Sequence, residues 1–517
     1  MAAKRSRSKT TRRTRKTTKK TTARRTTTRR SPPKTPQATT AKKTPTRSVL
    51  GPATVVVVNM IPRTLSGEQS QDSEPHLAVN PSNPKQIVGT AFTGDPSGGP
   101  HAPIYVSSDG GNTWALNSIV PSTTGASSGT FDITTAFSGK GSTLYAGILK
   151  AGNGHLEFLR TIDPFTPTVM TVLKDRANAD QPFTHATVEK TGKTLGKERV
   201  YIGNNDFAGP GGKTATVDEA LNAGATTASF TTVRVEKRTT SGQDGPQSRP
   251  VAHPDGTVYS AFYRWRAGTG NFQANTFKIT SADVVVVRDD KGGSGSPPFS
   301  ALIDTDGTAG KRVVQGVSFA FMVAGTAATG QQRLGGSLSI AVDPRDSKRV
   351  FLAWGDAQPG SILTLHVRLS TDSGQTWSAA DCLTLPNSTN AALAVNASGV
   401  VGLLYQELRG TGAAQRWVTH LRRSNDAVNW NDLILADTPA ATPVKSFDPY
   451  LGDYDHLLSL GNDFYGVFCA NNTPDKTHFP NGVKYQRVAD FNSRKLFRVD
   501  GTTVVAPSID PFFFKVS

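Results

Sequence analysis

The stretch SSDGGNTW occupies residues 107–114, and it returns almost unchanged as STDSGQTW at residues 370–377. Both fit the pattern Ser-x-Asp-x-Gly-x-Thr-Trp, and weaker copies of the acidic turn lie at residues 159–163, 287–292, 423–430 and 487–490. An Asp can accept backbone N–H bonds within its own turn, Gly relieves backbone strain, and Trp buries a large area. We therefore expect a structural role for Ser107, Asp109, Gly111, Trp114, Ser370, Asp372, Gly374 and Trp377.

A strand–turn–strand unit precedes these turns and occurs seven times, with first strands beginning near residues 77, 133, 183, 250, 338, 393 and 457. Turns rich in Gly, Asn, Asp and Pro separate its two strands, as β-hairpins require. In the third unit, the Ala-rich residues 217–223 favour a helical turn, and the strand at 233–235 lacks the following acid. Three strands plus a fourth after the turn, repeated along a chain, are typical of a β-propeller. We predict an all-β, seven-bladed β-propeller, with six blades and one insertion as the alternative.

The run TVVVVNMI at residues 54–61 lies before the first unit. A Val-rich run of this length indicates a β-strand. Because ring closure removes unpaired sheet edges, we expect this strand to be the outer strand of the last blade. It would close the ring by pairing an N-terminal with a C-terminal segment.

Positive charge is concentrated at one end of the chain. Residues 1–47 hold 18 of the 58 Lys and Arg residues and none of the 40 acids, so the rest of the chain is formally neutral. A segment of Lys, Arg, Thr, Ser, Ala and Pro cannot bury enough surface to fold. We predict a disordered tail at 1–47 that binds nucleic acid or another polyanion, and a propeller domain at 48–517. The alternative is a solubilising or processed extension.

Several classes of protein are disfavoured. With only two cysteines, Cys382 and Cys469, the chain cannot have a disulfide framework. A membrane span needs a run of about 18 apolar residues, and the sequence contains none. The basic stretch before residues 49–58 is too long for the start of a signal peptide, and Gly51-Pro52 interrupts the apolar run. The sequence therefore leaves the compartment open.

The two full motifs resemble the Asp-box, or bacterial neuraminidase repeat, of sialidases and related propellers. The resemblance covers roughly residues 75–517 and implies a sialidase-like propeller that recognises a glycan or another polar ligand at its central funnel. Extracellular location is usual for this resemblance. Asp-box propellers also include glucan hydrolases, non-enzymatic receptors and assembly factors, because a fold alone does not determine function. A sialidase-type exo-glycosidase and a protein–protein scaffold are therefore the alternatives.

Sialidase chemistry gives one arrangement of polar residues at the funnel. Arg249, Arg409 and either Arg264 or Arg266 would hold a substrate carboxylate. Tyr454 and Glu407 would form a nucleophile–base pair, and Asp132 or Asp180 would protonate the leaving group. The family's Arg-Ile-Pro motif is missing, since only Ile61-Pro62-Arg63 occurs, in reversed order. No catalytic role can therefore be transferred by motif.

The second arrangement is a ring of carboxylates from Glu74, Asp132, Asp180 and Asp453, which precede first strands. Like charges that lie close together need a counter-charge, and Ca²⁺ suits carboxylate oxygens. The alternative is that each acid caps its own loop. His76 and His185 also lie before or within first strands and are candidate ligand-binding residues, but their spacing does not predict a zinc site. The sequence therefore demands no cofactor.

Overall fold

The computed structural model describes residues 50–517, except for residues 94–100, 122–129, 151–154, 191–194, 210–213, 243–244, 247, 272–273, 275, 322–336, 360 and 444–450. The predictions for residues 1–47 lie outside the described residues. Within the described ranges the regular structure is almost entirely β-strand, with short 3-10 helices at Arg63–Leu65 and Gly412–Ala414. No helix in these ranges combines the length and the apolar character needed to cross a membrane. The prediction of an all-β chain is confirmed.

The described strands form seven four-stranded antiparallel sheets and one three-stranded sheet. Strand β1 (Val55–Asn59) comes first. The first three sheets contain β2 (Ser73–Val79), β3 (Ile87–Phe92), β4 (Ala102–Ser107) and β5 (Ala115–Val120); β6 (Ile133–Phe137), β7 (Leu144–Lys150), β8 (His155–Thr161) and β9 (Thr171–Ala177); and β10 (Ala179–Val188), β11 (Glu198–Asp206), β12 (Thr214–Ala220) and β13 (Thr231–Arg234).

The next three sheets contain β14 (Arg249–Ala252), β15 (Val258–Thr269), β16 (Lys278–Asp289) and β17 (Lys311–Ala320); β18 (Leu338–Asp343), β19 (Asp346–Gln358), β20 (Ser361–Ser370) and β21 (Leu383–Pro386); and β22 (Ser388–Val395), β23 (Val401–Arg409), β24 (Arg416–Ser424) and β25 (Asn431–Pro439). The seventh sheet begins with β26 (His456–Leu460) and β27 (Asp463–Asn471). The three-stranded sheet follows as β28 (Val488–Asp490), β29 (Lys495–Phe497) and β30 (Val504–Val505), and β31 (Ile509–Val516) ends the chain.

The first strands of the seven sheets contact one another in cyclic order, β2, β6, β10, β14, β18, β22, β26 and β2 again. Apolar clusters fill the spaces between consecutive sheets. The cluster between the first two sheets includes Val88 and Ile133, and the one between the seventh and the first includes Leu77 and Phe513. Each sheet thus buries both faces against its neighbours, as in a β-propeller.

Strand β1 pairs with the C-terminal strand β31, in register from Val55 opposite Val516 to Asn59 opposite Phe512. The seventh sheet therefore has the order β26, β27, β31, β1. The prediction that residues 54–61 supply an outer closing strand is confirmed. The weak turn copy at residues 487–490 predicts the third strand of this last unit there, but that prediction is wrong, because Val488–Asp490 form β28 of the small sheet. Strand β31 takes that place because three consecutive side chains, Phe512–Phe514, are fully buried there, whereas Val488 is 41% exposed.

The third sheet also differs from prediction. Residues 214–220 form strand β12 rather than a helical turn, and residues 231–234 form the fourth strand rather than the third. Ala215 and Val217 are fully buried within the cluster that packs against the fourth sheet, so β-sheet packing overrides the helical preference of Ala. Asn222 follows this third strand and accepts a hydrogen bond from the Ser229 N–H (3.1 Å), in the place where other units have an Asp.

The Ser-x-Asp-x-Gly-x-Thr-Trp turns are closed by their own side chains. Ser107 Oγ donates to Asp109 Oδ1 and accepts from the Gly111 N–H, both at 2.9 Å. A Cβ on Gly111 would lie 2.2 Å from the Phe513 ring, at a φ of +87°. The indole N–H of buried Trp114 donates to the Gly111 carbonyl (3.1 Å). Local hydrogen bonds and packing against the closing sheet thus account for the conformation of this turn.

The second full motif shares the hydrogen bonds of the Ser hydroxyl but not that of the indole, since Trp377 Nε1 has no partner among the described residues. Ser370 Oγ donates to Asp372 Oδ1 (2.9 Å), and the Gly374 N–H donates to Ser370 Oγ (2.8 Å). Trp377 packs partly buried against the cluster between the fourth and fifth sheets. Elsewhere, Cys382 and Cys469 are both free thiols.

Candidate functional site

Three of the segments that lead into first strands share an unusual backbone conformation. Glu74, Gln181 and Asn390 have φ values of 50°, 54° and 57°, in the left-handed region that residues other than glycine rarely adopt. Each lies at a bulge, where the first strand shifts register against the second. Strained residues of this kind cluster at functional sites. The three bulges therefore indicate a candidate site at the end of the ring where first strands begin. We call this end the funnel face.

Side chains from sheets that are not neighbours meet at the funnel face. Gln181 Nε2 in β10 donates to Oδ2 of Asp453, which precedes the seventh sheet (3.2 Å). The Tyr454 hydroxyl donates to Oδ1 of Asp132, which precedes the second sheet (3.4 Å). Because neither pair of sheets is adjacent in the cyclic order, these hydrogen bonds cross near the ring axis.

Arg249, the first residue of β14, lies among these groups. Its guanidinium carbon is 4.1 Å from the ring centroid of Phe183 and 5.3 Å from that of Tyr454. Burial lowers the pKa of Arg249 to about 10, although four nearby acidic groups oppose the shift: Tyr454, Asp453, Asp132 and Glu74. We call Arg249 and these four residues the funnel cluster. The guanidinium supplies its positive charge, and a calcium site at the carboxylates stays a prediction.

Two histidines stack beside the funnel cluster. The rings of His76 and His456 have centroids 3.7 Å apart and an interplanar angle of 20°, and His76 Nδ1 accepts from the Thr135 N–H (3.3 Å). Burial lowers the pKa of His76 well below its ordinary value and that of His456 to about 3. Both imidazoles are therefore neutral at physiological pH.

His185 occupies a different position, in the contact between the third and fourth sheets. Its Nε2 accepts a hydrogen bond from the backbone N–H of Ala252 (3.1 Å). Burial lowers the pKa of His185 to about 4, so this ring is also neutral at physiological pH. The hydrogen bond links two neighbouring first strands, while the ring still lines the central cavity described next.

A cavity of about 380 Å³ runs along the ring axis and is lined by residues from the first strands of all seven sheets. His76, Phe183, Arg249, Asp455 and His456 line its funnel end, and most other lining residues are Ala, Val or Leu. Burial raises the pKa of Asp455 well above its ordinary value. The cavity thus combines apolar walls with a few convergent polar groups, the usual character of a ligand site.

The arginines predicted to hold a substrate carboxylate do not meet at one place. Arg264 lies opposite Asp283 in the pairing of β15 with β16, donates to its Oδ2 (2.9 Å) and also bonds the Thr239 carbonyl. Arg266 also pairs with Asp283, and Arg409 donates to Glu407 Oε2 (2.8 Å). These guanidinium groups are already bound to acids of their own sheets. Only Arg249 among the predicted arginines lies in the funnel cluster, and the ligand contacts of Arg264, Arg266 and Arg409 stay predictions.

The predicted pairing of Tyr454 with Glu407 also differs from the structure. Glu407 Oε2 accepts from Arg409 and from Nε2 of His420 (3.2 Å). The hydrogen bond from His420, aided by Arg409 and opposed by burial, lowers the pKa of Glu407 to about 2. Tyr454 bonds Asp132 instead, and burial raises its pKa well above the ordinary value.

The sequence-based prediction named the residues of the funnel cluster but not two neighbours that contact them. Asp180 is the second residue of β10, and its Oδ1 accepts from the Gln181 backbone N–H (2.7 Å) at the bulge, a local contact like those of the alternative in which each acid caps its own loop. Gln181 and Phe183 were not predicted. Comparing Gln181-Pro182-Phe183 with Glu74-Pro75-His76 could have found them, because both triplets lead into a first strand.

A histidine clamped between two carboxylates lies in the fifth sheet. His366 Nδ1 is 2.7 Å from Asp381 Oδ2, and its Nε2 is 2.9 Å from Asp356 Oδ1. Burial acts to lower the pKa of His366, but the two carboxylates outweigh it and raise the pKa to about 9. Because the folded pKa exceeds the unfolded value, the stabilisation is complete below about pH 6.5 and disappears as the pH rises through 9.

Replacing His366 with Gln should therefore reduce the free energy of unfolding more at pH 6 than at pH 10. The expected difference is roughly 1–2 kcal/mol, after allowing for solvent screening of the partly exposed Asp381. Urea unfolding of both proteins at the two pH values measures it. His155→Gln is the matched control, since His155 and its partner Asp175 are much more exposed. An equal loss of unfolding free energy at pH 6 and pH 10 would contradict a charged His366 held between Asp356 and Asp381.

No protein-family model and no curated protein matches the chain. Among solved structures, the α-L-arabinofuranosidase Arb93A from Fusarium graminearum is 13% identical, with 88% of this chain and 97% of that chain covered and a TM-score of 0.36. An ulvan lyase from a new family of polysaccharide lyases is 9% identical, with 79% and 93% covered and a TM-score of 0.45. The hydrazine synthase of Kuenenia stuttgartiensis is 11% identical, with 86% and 97% covered and a TM-score of 0.40. Likenesses this distant do not decide the function.

Proposed function

We propose that the chain is a seven-bladed β-propeller that recognises a hydroxyl-rich ligand of the glycan type at its funnel face. The observation that carries the proposal is the meeting of the funnel cluster across the ring axis, where its one guanidinium, that of Arg249, lines the polar end of a cavity of about 380 Å³. A cavity of this size lies within the range of small-molecule sites, about 300–1,000 Å³. One sugar residue could occupy it.

The charges of the funnel face favour a neutral ligand over an anionic one. Glu74, Asp132 and Asp453 surround a single guanidinium, that of Arg249. Carboxylates accept hydrogen bonds from sugar hydroxyls, and the half-buried ring of Phe183 lines the cavity beside Arg249. A ligand carboxylate, such as that of sialic acid, would meet more negative than positive charge.

A glycosidase of sialidase type is the second candidate, and one observation favours it. Tyr454 and Asp132 form a hydrogen-bonded phenol–carboxylate pair, which is the type of pair that a tyrosine nucleophile and its base require. Against it, the three other arginines proposed for a clamp are bound elsewhere. Hydrolysis of fluorogenic sialosides between pH 4 and pH 8, abolished by Tyr454→Phe, would support this candidate. Absence of turnover across that range removes it.

Binding of the full chain to a panel of neutral and sialylated oligosaccharides tests the first proposal. We expect binding to neutral members, and a loss of roughly tenfold or more for Asp132→Asn, since a hydrogen bond to a charged group contributes about 1.5–3 kcal/mol. Asp490→Asn is the matched control, because Asp490 lies in an exposed turn of the small sheet. Background binding across the whole panel would reject glycan recognition and leave a protein–protein scaffold.

The segment of residues 1–47 is proposed to tether the protein to a polyanion. Because the remaining chain is formally neutral, deletion of residues 2–47 should abolish salt-sensitive retention on heparin or DNA. The retention of the full chain should fall steeply with salt, as expected for counterion release. Elution from a heparin column over a salt gradient measures both effects. Unchanged retention of the shortened protein would assign the binding to the propeller body.

A further inference from the structure

A second group of acids lies away from the funnel cluster, where the N-terminal and C-terminal segments meet. Glu68 and Asp72 lie between β1 and β2, and Asp510 lies on β31. One carboxylate oxygen from each residue lies within 4.8 Å of the others. Asp72 and Asp510 are buried, with 1% and 0% of their surface exposed. We call these three residues the closure cluster.

The closure cluster holds more negative than positive charge. Arg487 donates to Asp510 Oδ2, and neither of these side chains is exposed. Asn59, Asn472 and Ser508 also donate to the Asp510 carboxylate, at 2.7, 2.9 and 2.6 Å. Arg487 pairs with one of the three carboxyl groups, so the other two have no basic partner of their own among the described residues. Burying such charges is costly unless they are paired or bind a metal.

Several oxygens of this region have no hydrogen-bond partner among the described residues. They are Glu68 Oε2, Asp72 Oδ2 and the hydroxyl of Thr93. Thr93 is 2% exposed, and its side chain lies beside the Asp72 carboxylate. Buried polar atoms are nearly always satisfied, so each exception needs an explanation. Buried oxygens that lack donors at one place are what a bound cation would coordinate.

We propose that the closure cluster binds a divalent, oxygen-seeking cation, with Ca²⁺ preferred over Mg²⁺. A charge of +2 would balance the two carboxylates that lack a basic partner of their own. The oxygens of the closure cluster lie within 4.8 Å of one another, so one ion can contact all three residues. Ca²⁺ accepts irregular sets of carboxylate oxygens, whereas Mg²⁺ demands near-ideal octahedral geometry and keeps several waters, which a buried site does not favour. Bound there, the ion would join the segment after β1 to β31 and so stabilise the closing sheet, independently of any ligand at the funnel.

The test uses the full chain after treatment with a chelator. Titration with CaCl₂ in a calorimeter should show binding, and thermal unfolding at about 5 mM CaCl₂ should occur roughly 3–6 °C higher than in chelator. MgCl₂ should give weaker binding and a smaller shift. If protons neutralise the cluster instead, CaCl₂ will produce neither heat of binding nor a thermal shift, and the proposal is overturned.

Asp72→Asn locates the site. The substitution keeps the shape of the side chain and removes a repelling charge, so the chelator-treated variant should fold and unfold at or above the wild-type temperature. Its response to CaCl₂ should be lost. Asp490→Asn makes the same chemical change in an exposed turn and should leave the response intact. Calcium binding that survives in Asp72→Asn would place the ion elsewhere and overturn the assignment.

Discussion

Deletion of residues 2–61 is expected to abolish cooperative folding, whereas deletion of residues 2–47 leaves the unfolding temperature unchanged. The longer deletion removes β1 and four buried apolar residues: Val57, Val58, Met60 and Ile61. At about 1.5–3 kcal/mol for each buried side chain, their loss approaches the whole stability of a typical domain, about 5–15 kcal/mol. Circular dichroism during heating, with the two shortened proteins side by side, measures the difference.

A synthetic peptide of residues 50–62 provides the complementary test. The longer deletion leaves β31 as an unpaired sheet edge, which can accept a strand in trans. The peptide should therefore restore a cooperative transition, and a peptide with Val58→Asp should not, because Val58 is fully buried. An unfolding temperature unaffected by the longer deletion would contradict the role of β1 in closing the ring.

Arg487→Met should cause an unusually large loss of stability for a single substitution. It would leave Asp510 buried beside Glu68 and Asp72 without its guanidinium partner. Removal of one member of a buried ion pair typically lowers the free energy of unfolding by about 3–5 kcal/mol. Urea unfolding in chelator measures it. Arg487→Lys should recover only part of the loss, because an ammonium group lacks the geometry of the guanidinium.

Arg345→Met is the control for this comparison. Arg345 also pairs with an acid, Asp343, at 2.8 Å, but half of the arginine side chain is exposed. Asp343 is buried but keeps a second guanidinium partner, Arg349, at 2.8 Å, so the expected loss is about 0–1 kcal/mol. Comparable losses for Arg345→Met and Arg487→Met would show that burial of the Arg487–Asp510 pair has no special energetic role.

The repeat was predictable from sequence because its determinants are local. The hydrogen bonds that close the turn of Asp109 lie within a few residues of it, so the spacing of residue types reveals the turn. The third strand of the last sheet was not predictable in this way. Strand β31 pairs with β1 and β27, and a local pattern does not specify partners so far apart in the chain.

The candidate site was predictable in its location but not in its contacts. Placing polar residues before first strands identified Arg249, Asp132, Asp453 and Tyr454, since all of these segments lie at one end of the ring. The partner of each residue depends on register and on the width of the ring. Arg264 pairs with Asp283 because the two lie opposite each other on adjacent strands, and Gln181 reaches Asp453 across the axis. Neither relation is encoded in the spacing of residues along the chain.

The pairing of Val55 with Val516 has a consequence for how the chain folds. During synthesis, β1 emerges before the other described strands, and its partner β31 emerges after them. The intervening sheets can form hairpins as they appear, while the closing sheet must wait until β31 has been made. Contacts between such distant segments slow folding. The Val-rich β1 strand therefore stays without its native partner until β31 is available, and an apolar strand left unpaired is open to non-native pairing.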